Sequence, residues 1–291
     1  MNGARRASPP SAWALALALS IPIAAPLFIP FLSQTPSEQF YRHELAEFLK
    51  SAPGERNYPM GVMLTASGGN CATVGPQRLT ANGAGMYVVK HSSGRSEDFQ
   101  DLLDVLVNNH PDFVVIQDLV LTPPHPAANK NYQQARSDWR NLLVGLAQEL
   151  NLLTAEQNSD RARRCSTALT PQEFWPDIVQ RAMRHVRPYS DPQQRKIMNF
   201  LGAFSAAGIP VLVASPPQNE FTAGYRSKLF LAVSHLVQQD NSMTGVSLHR
   251  QPVLTPGEKF LDPLHLNPDE NQAYRAWLNG EIMNALGVQN H

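Results

Sequence analysis

Short uninterrupted apolar runs lie at residues 60–66 (MGVMLTA), 86–89 (MYVV), 113–116 (FVVI) and 209–214 (IPVLVA), with a weaker one at 245–248 (GVSL). Runs of this length, each bounded by turn residues, read as strands buried on both faces. Between them apolar side chains recur every three or four positions, which predicts amphipathic helices. Phe99, Leu102, Leu103 and Leu106 mark one, ended by Asn108-Asn109-His110-Pro111; others run near 194–207 and 225–239. A last helix carries Tyr274, Trp277, Leu278, Ile282 and Leu286. Upstream, Thr35-Pro36-Ser37-Glu38 has the pattern of a helix start, with Thr35 as N-cap, proline in the first turn and Glu38 placed to close a capping box. Alternating strands and helices predict an α/β fold in which a parallel sheet is covered on both faces.

Two segments depart from this rhythm. Residues 13–32 are twenty mostly apolar positions preceded by Arg5 and Arg6, and no Asp, Glu, Lys or Arg occurs from Ala7 to Ser37. That length suits a span of the hydrocarbon layer, with the arginines on the cytoplasmic side. Pro22, Pro26 and Pro30 interrupt a straight helix, so a cleaved signal peptide stands as the alternative to a signal anchor. Residues 122–192 open on a proline-rich stretch and hold helical patterns near 132–150 and 174–185 without a strand, as expected of a helical insertion that tailors a cleft. The expected organisation is a cytoplasmic tip and anchor (1–37), a linker helix (38–57) and one α/β domain (58–291) carrying the insertion at 122–192.

Composition narrows the function. Of 291 residues, 24 are Lys or Arg and 24 Asp or Glu, giving a formal net charge of zero. No Lys/Arg run is present, so a general nucleic-acid binder is excluded as the expected class. Cys71 and Cys165 are too few for a disulfide scaffold and lack C-x-x-C spacing; one bridge between them, or two separate thiols, are both open. His91, His110, His125, His185, His235 and His249 show no metal-ligand spacing, and neither a metal nor a cofactor is expected.

In an open parallel sheet, reactive groups gather where strands end and loops meet helix N-termini. The turns at that edge hold Ser67-Gly-Gly-Asn70, Ser92-Ser-Gly94, Gln117-Asp118, Ser215-Pro-Pro217 and Asp262-Pro-Leu-His265-Leu-Asn267. A serine hydroxyl becomes nucleophilic when an imidazole takes its proton, and the imidazole needs a carboxylate to fix its tautomer. Asp262 and His265, three residues apart in a proline-containing loop, suit that pairing, with Ser67 as nucleophile.

These blocks, in this order, resemble the SGNH/GDSL hydrolase superfamily over about residues 58 to 287, apart from the insertion. The resemblance implies a flavodoxin-like α/β/α sandwich that hydrolyses esters or transfers acyl groups. It aligns Leu64-Thr65-Ala66-Ser67 with the family's strand into Gly-Asp-Ser, Gly94 with its oxyanion glycine, and Asp262 and His265 with its Asp-x-x-His. The family's Gly-x-Asn-Asp block is replaced by Ile116-Gln117-Asp118, so a third oxyanion donor would come from Gln117, or from Asn70 or Asn129; Asp118 is expected to be structural. Divergent members act in bacterial exopolysaccharide O-acetylation. The implied protein is a serine O-acyl esterase or O-acetyltransferase for an envelope or exported polysaccharide, anchored in the inner membrane facing the periplasm, or periplasmic after signal cleavage. The alternative is a catalytically silent domain that binds glycan or scaffolds envelope partners.

Overall fold

The apolar runs form strands because both of their faces are covered. The structure, a computed structural model, describes residues 36–50, 58–66, 75–91, 96–122, 171–183, 189–238, 243–267 and 270–288. The chain divides into two compact units, residues 1–40 with 129–154 and residues 41–128 with 155–291. Of the first, only residues 36–40 are described; the sheet belongs to the second. Among the described residues no helix is long and apolar enough to cross a membrane, and the expected anchor at 13–32 lies outside them. Cys71, Cys165 and the expected helix at 132–150 also lie outside.

Strands β1 (Met60–Ala66), β2 (Gly75–Arg78), β3 (Gly85–His91), β4 (Phe113–Gln117), β5 (Val211–Ala214) and β6 (Val246–His249) form one sheet in the order β2-β3-β1-β4-β5-β6. All neighbours pair in parallel except β2 with β3. The sheet is therefore mixed where a purely parallel one was expected. Strand β2 escaped the apolar pattern because it is an edge strand: Pro76 and Arg78 are exposed, and an edge is where proline costs no ladder bond.

Side-chain alternation sorts the core into two layers. Val62, Leu64, Val114, Ile116, Val211 and Val213 point to one face. There they meet α1 (Pro36–Lys50), the 3-10 turn Ser96–Leu102 with α2 (Leu103–Asn109), α4 (Asp191–Ala206) and α5 (Ala223–Gln238). Met63, Val88, Phe113, Val115 and Leu212 point to the other, under Tyr274, Leu278 and Ile282 of α6 (Gln272–Ala285). The two strand periods thus separate cleanly into two cores. Close packing shows at Gly61, where a Cβ would collide with the ring and carbonyl oxygen of Phe113 on the neighbouring strand. Helix α3 (Trp175–Met183) occupies part of the region expected to be a helical insertion. Tyr189 Oη donates to the Leu121 carbonyl at 2.8 Å, so the chain returns from that region beside the point where it left the sheet.

Candidate functional site

Parallel pairing brings the carboxyl ends of five strands to one edge. Across that edge the register aligns Lys90 with Thr65, places Thr65 beside Gln117, and continues through Ala214 to His249. This row faces the α6 side. Thr65 and Gln117 are fully buried, and the Thr65 hydroxyl donates to Gln117 Oε1 at 2.5 Å. Gln117 Nε2 is buried without a hydrogen-bond partner among the described residues. Burial lowers the pKa of Lys90 below the ordinary lysine range.

Asp262 and His265 are in contact. His265 Nδ1 lies 2.6 Å from Asp262 Oδ2, and Asp262 Oδ1 accepts the backbone N–H groups of Leu264 at 2.8 Å and His265 at 2.9 Å. The turn is local: Leu261 N–H donates to the His265 carbonyl at 2.8 Å, and Phe260 bridges Leu266 just outside it. Pro263, inside the turn, leaves its carbonyl to Asn219 Nδ2 at 3.1 Å. That bond ties the dyad to the loop between β5 and α5, while Tyr274 Oη holds α6 to the Ser215 carbonyl at 3.1 Å. Phe260 and Leu266 pack with Trp175 of α3, which meets the Phe221 ring edge-on at 5.3 Å. The dyad loop is therefore clamped between the sheet edge and the helix of the 122–192 region.

A carboxylate accepts only, so the proton on Nδ1 belongs to the imidazole and Nε2 is left as the basic nitrogen. Burial by itself would raise the Asp262 pKa. The hydrogen bond and charge of His265, with the N–H groups of Leu264 and His265, outweigh it and hold the carboxyl below its ordinary value. The arrangement can orient an imidazole, accept a proton at Nε2 and stabilise the imidazolium that results.

Of the other expected site residues, Ser67, Asn70 and Gly94 lie outside the described residues, as does Asn129. Strand β1 ends at Ala66, the last described residue before position 67. Sequence reasoning named Thr65 and Ser215 but passed over the buried polar group that follows β5: Gln218, Asn219, Thr222 and Arg226. Asp118 belongs to it. Burial pushes its carboxyl up to about 6 against the pull of Arg226, the Leu119 N–H and Arg250. Burial, with the Asp118 charge added, likewise raises Tyr274. Asn219-x-x-Thr222 before an apolar helix was the available signal, since Asn219 Oδ1 caps the N–H groups of Phe221 and Thr222 at 3.0 Å each. Nothing in the letters marks Arg226 as buried.

Among the described residues no cluster of His, Cys, Asp and Glu could hold a metal ion. A cavity of about 450 Å³ between the β2–β3 turn and the start of α6, lined by Arg78, Thr80, Asn271 and Arg275, shares no residue with the dyad. Comparison with protein-family models, curated proteins and solved structures finds no match to this chain.

Proposed function

We propose that the chain is a serine enzyme of the SGNH type, a flavodoxin-like α/β/α domain that hydrolyses or transfers O-acyl groups, with acetyl groups on an envelope or exported polysaccharide as substrate. The observation that carries this reading is the 2.6 Å contact of His265 Nδ1 with Asp262 Oδ2, on a turn tied through Asn219 to the loop that follows β5, at the carboxyl end of the sheet where β1 also ends at Ala66. Two further features support it. The five parallel strands, numbered by their own sequence order, are arranged 2-1-3-4-5, a doubly wound order whose crevice lies at the carboxyl ends. Gln117 Nε2 is an amide donor without a partner among the described residues, one strand from Thr65.

In this mechanism Ser67 Oγ attacks the ester carbonyl as His265 Nε2 takes its proton. The N–H groups of Ser67 and Gly94, with the Gln117 or Asn70 amide, receive the developing oxyanion. The imidazolium protonates the departing alcohol. Water or a sugar hydroxyl, deprotonated by the same nitrogen, then removes the acyl group. The N-terminal apolar segment would hold the domain at the inner membrane, facing the periplasm.

The test is labelling of the full chain with a serine-directed fluorophosphonate, followed by peptide mapping. Label on the Ser67 peptide, lost in Ser67→Ala and in His265→Gln, is the expected result; an unlabelled Ser67 overturns the proposal. Supplying a chromogenic acetyl ester with an oligosaccharide acceptor then separates hydrolysis, which releases acetate, from transfer, which acetylates the sugar. A second reading, a silent domain that binds glycan or scaffolds envelope proteins, draws on the full burial of Thr65 and Gln117 where the family has Gly-Asp and Gly-x-Asn-Asp. It predicts no Ser67 label, together with retention of the chain on an immobilised polysaccharide.

A further inference from the structure

Strand β6 and helix α6 build a second relay that the mechanism above does not use. Ser247 and His249 are two apart on a strand, so their side chains leave the same face. Ser247 Oγ lies 2.7 Å from His249 Nε2, and His249 Nδ1 lies 2.6 Å from Glu281 Oε2. The glutamate cannot donate when ionised, so it fixes the imidazole proton on Nδ1. The neutral ring then has one acceptor, Nε2, and the Ser247 hydroxyl must donate to it. Its other contact, the Val211 carbonyl at 3.3 Å, is the longer one. Hydroxyl, imidazole and carboxylate thus stand in the order and at the distances of an activated serine.

The relay is reachable. Ser247 is partly exposed, and the side chains of His249 and Glu281 are 14% and 32% exposed. Among the described residues no strand pairs with the outer edge of β6. The carbonyls of Gly245 and His249 accept from Val211 and Ser215 of the β5 side. By the alternation of a parallel ladder, Leu248, next after Ser247, directs its backbone N–H to the open edge. A donor following the nucleophile is the kind of group that meets an oxyanion.

We propose that Ser247 is a second nucleophilic serine, activated by His249 and Glu281, that takes the acyl group of small, solvent-borne esters. Oγ bonds to the acyl carbon as its proton passes to Nε2. The ester C–O bond breaks as Nε2 returns that proton to the leaving alcohol, and water deprotonated by Nε2 then hydrolyses the acyl-serine. This activity does not depend on Ser67.

The experiment uses the full chain with a small fluorophosphonate, mapping label separately to the Ser67 and Ser247 peptides in wild type, Ser67→Ala, Ser247→Ala, His249→Gln and Glu281→Gln. The expected result is label on Ser247 in wild type and in Ser67→Ala alike, none at that position in Ser247→Ala, and labelling slowed by about 10²–10⁴ in His249→Gln, the span of general-base catalysis. Glu281→Gln should slow it in the same direction, and melting curves establish that the variants are folded. An unlabelled Ser247 in wild type and Ser67→Ala, or an unchanged rate in folded His249→Gln, overturns the proposal. Label at Ser247 without label at Ser67 overturns the proposed function and leaves this relay standing; the converse pattern does the reverse.

Discussion

Replacing Asp262 with asparagine separates what this side chain does for the loop from what it does for the imidazole. Oδ1 receives the N–H groups of Leu264 and His265 at 2.8 and 2.9 Å, and an asparagine oxygen in the same place keeps both bonds. What changes is Oδ2. An amide nitrogen facing His265 Nδ1 forces that nitrogen to accept, moves the ring proton to Nε2 and abolishes the base at the position where a serine would need it. One half-buried charge-assisted bond is exchanged for a neutral one, a cost of about 1–1.5 kcal/mol. For a domain of this size that lowers Tm by roughly 2–6 °C. Loss of the correct tautomer costs about 10⁴ in turnover. Asp262→Ala adds the two backbone bonds to the loss, so its melting point falls further while its activity falls about as far. Measuring kcat/KM on a chromogenic acetyl ester beside thermal melts gives the two axes. A folded Asp262→Asn variant that keeps more than a third of wild-type kcat/KM refutes the role assigned to the dyad. Because the Asp262 pKa is held below the ordinary carboxylate value, its contribution to stability is complete above about pH 4 and fades as pH falls through the folded value. The asparagine variant lacks that acid-side loss.

Other outcomes follow from the packing and the buried charges. Gly61→Ala drives a methyl into Phe113 and its carbonyl, and should cost about 1–3 kcal/mol in denaturant unfolding; unchanged stability contradicts the close approach of β1 and β4. Trp175→Ala should cost about 3–5 kcal/mol. It should also reduce ester turnover, because Phe260 and Leu266 on the dyad loop lose their cover; loss of stability with full activity would show that the loop holds its shape alone. Asp118, moved by burial from 3.8 to about 6, holds a proton in the folded chain at pH values where the unfolded chain has released it. Stability from this group therefore falls as pH rises from about 4 to 6, by about 3 kcal/mol. Melting wild type and Asp118→Asn across that range should show wild type losing ground; a flat difference refutes the assignment.

The fold was legible wherever burial was two-sided. Strand β1 spans Met60–Ala66, the same residues as its apolar run, because a strand sealed on both faces stays apolar at every position but Thr65, whose hydroxyl is bonded within the sheet. Helix α1 begins at Pro36, where the proline's fixed φ and missing N–H suit a first turn. His110 takes a left-handed conformation at φ 42°, which with Pro111 behind it stops α2 where the Asn-Asn-His-Pro sequence said it would. The start of that helical stretch, Ser96–Leu102, is 3-10, a distinction apolar spacing cannot make. Strand β2 was invisible for the opposite reason. Gly75-Pro-Gln-Arg78 carries no apolar period, and the hydrogen bond fixing its hairpin to α6, from the Ala84 N–H to Asn279 Oδ1, joins residues 195 apart.

The site divides along the same line between local and distant interactions. Asp262 and His265 could be paired from spacing alone, since a three-residue turn brings the carboxylate to both the backbone and Nδ1 without help from the rest of the fold. The order of the blocks carried Ser67 into the argument, through a strand whose end is now fixed at Ala66. Ser247-Leu248-His249 carried a comparable local signal, two positions on one face of a strand, but its meaning depended on Glu281, thirty-two residues on and across a layer boundary. Asp118 and Arg226 are 108 positions apart, and only the tertiary structure shows that their charges share one buried space. Such a pair is costly to bury, yet Asp118 sits directly after the last residue of β4, at the carboxyl end of the sheet. A fold stabilised by its cores alone would have no use for charge at that edge. Its position there, with the Gln117 amide, unpartnered among the described residues, on the adjoining residue, is what makes the carboxyl end of the sheet the place to look for chemistry.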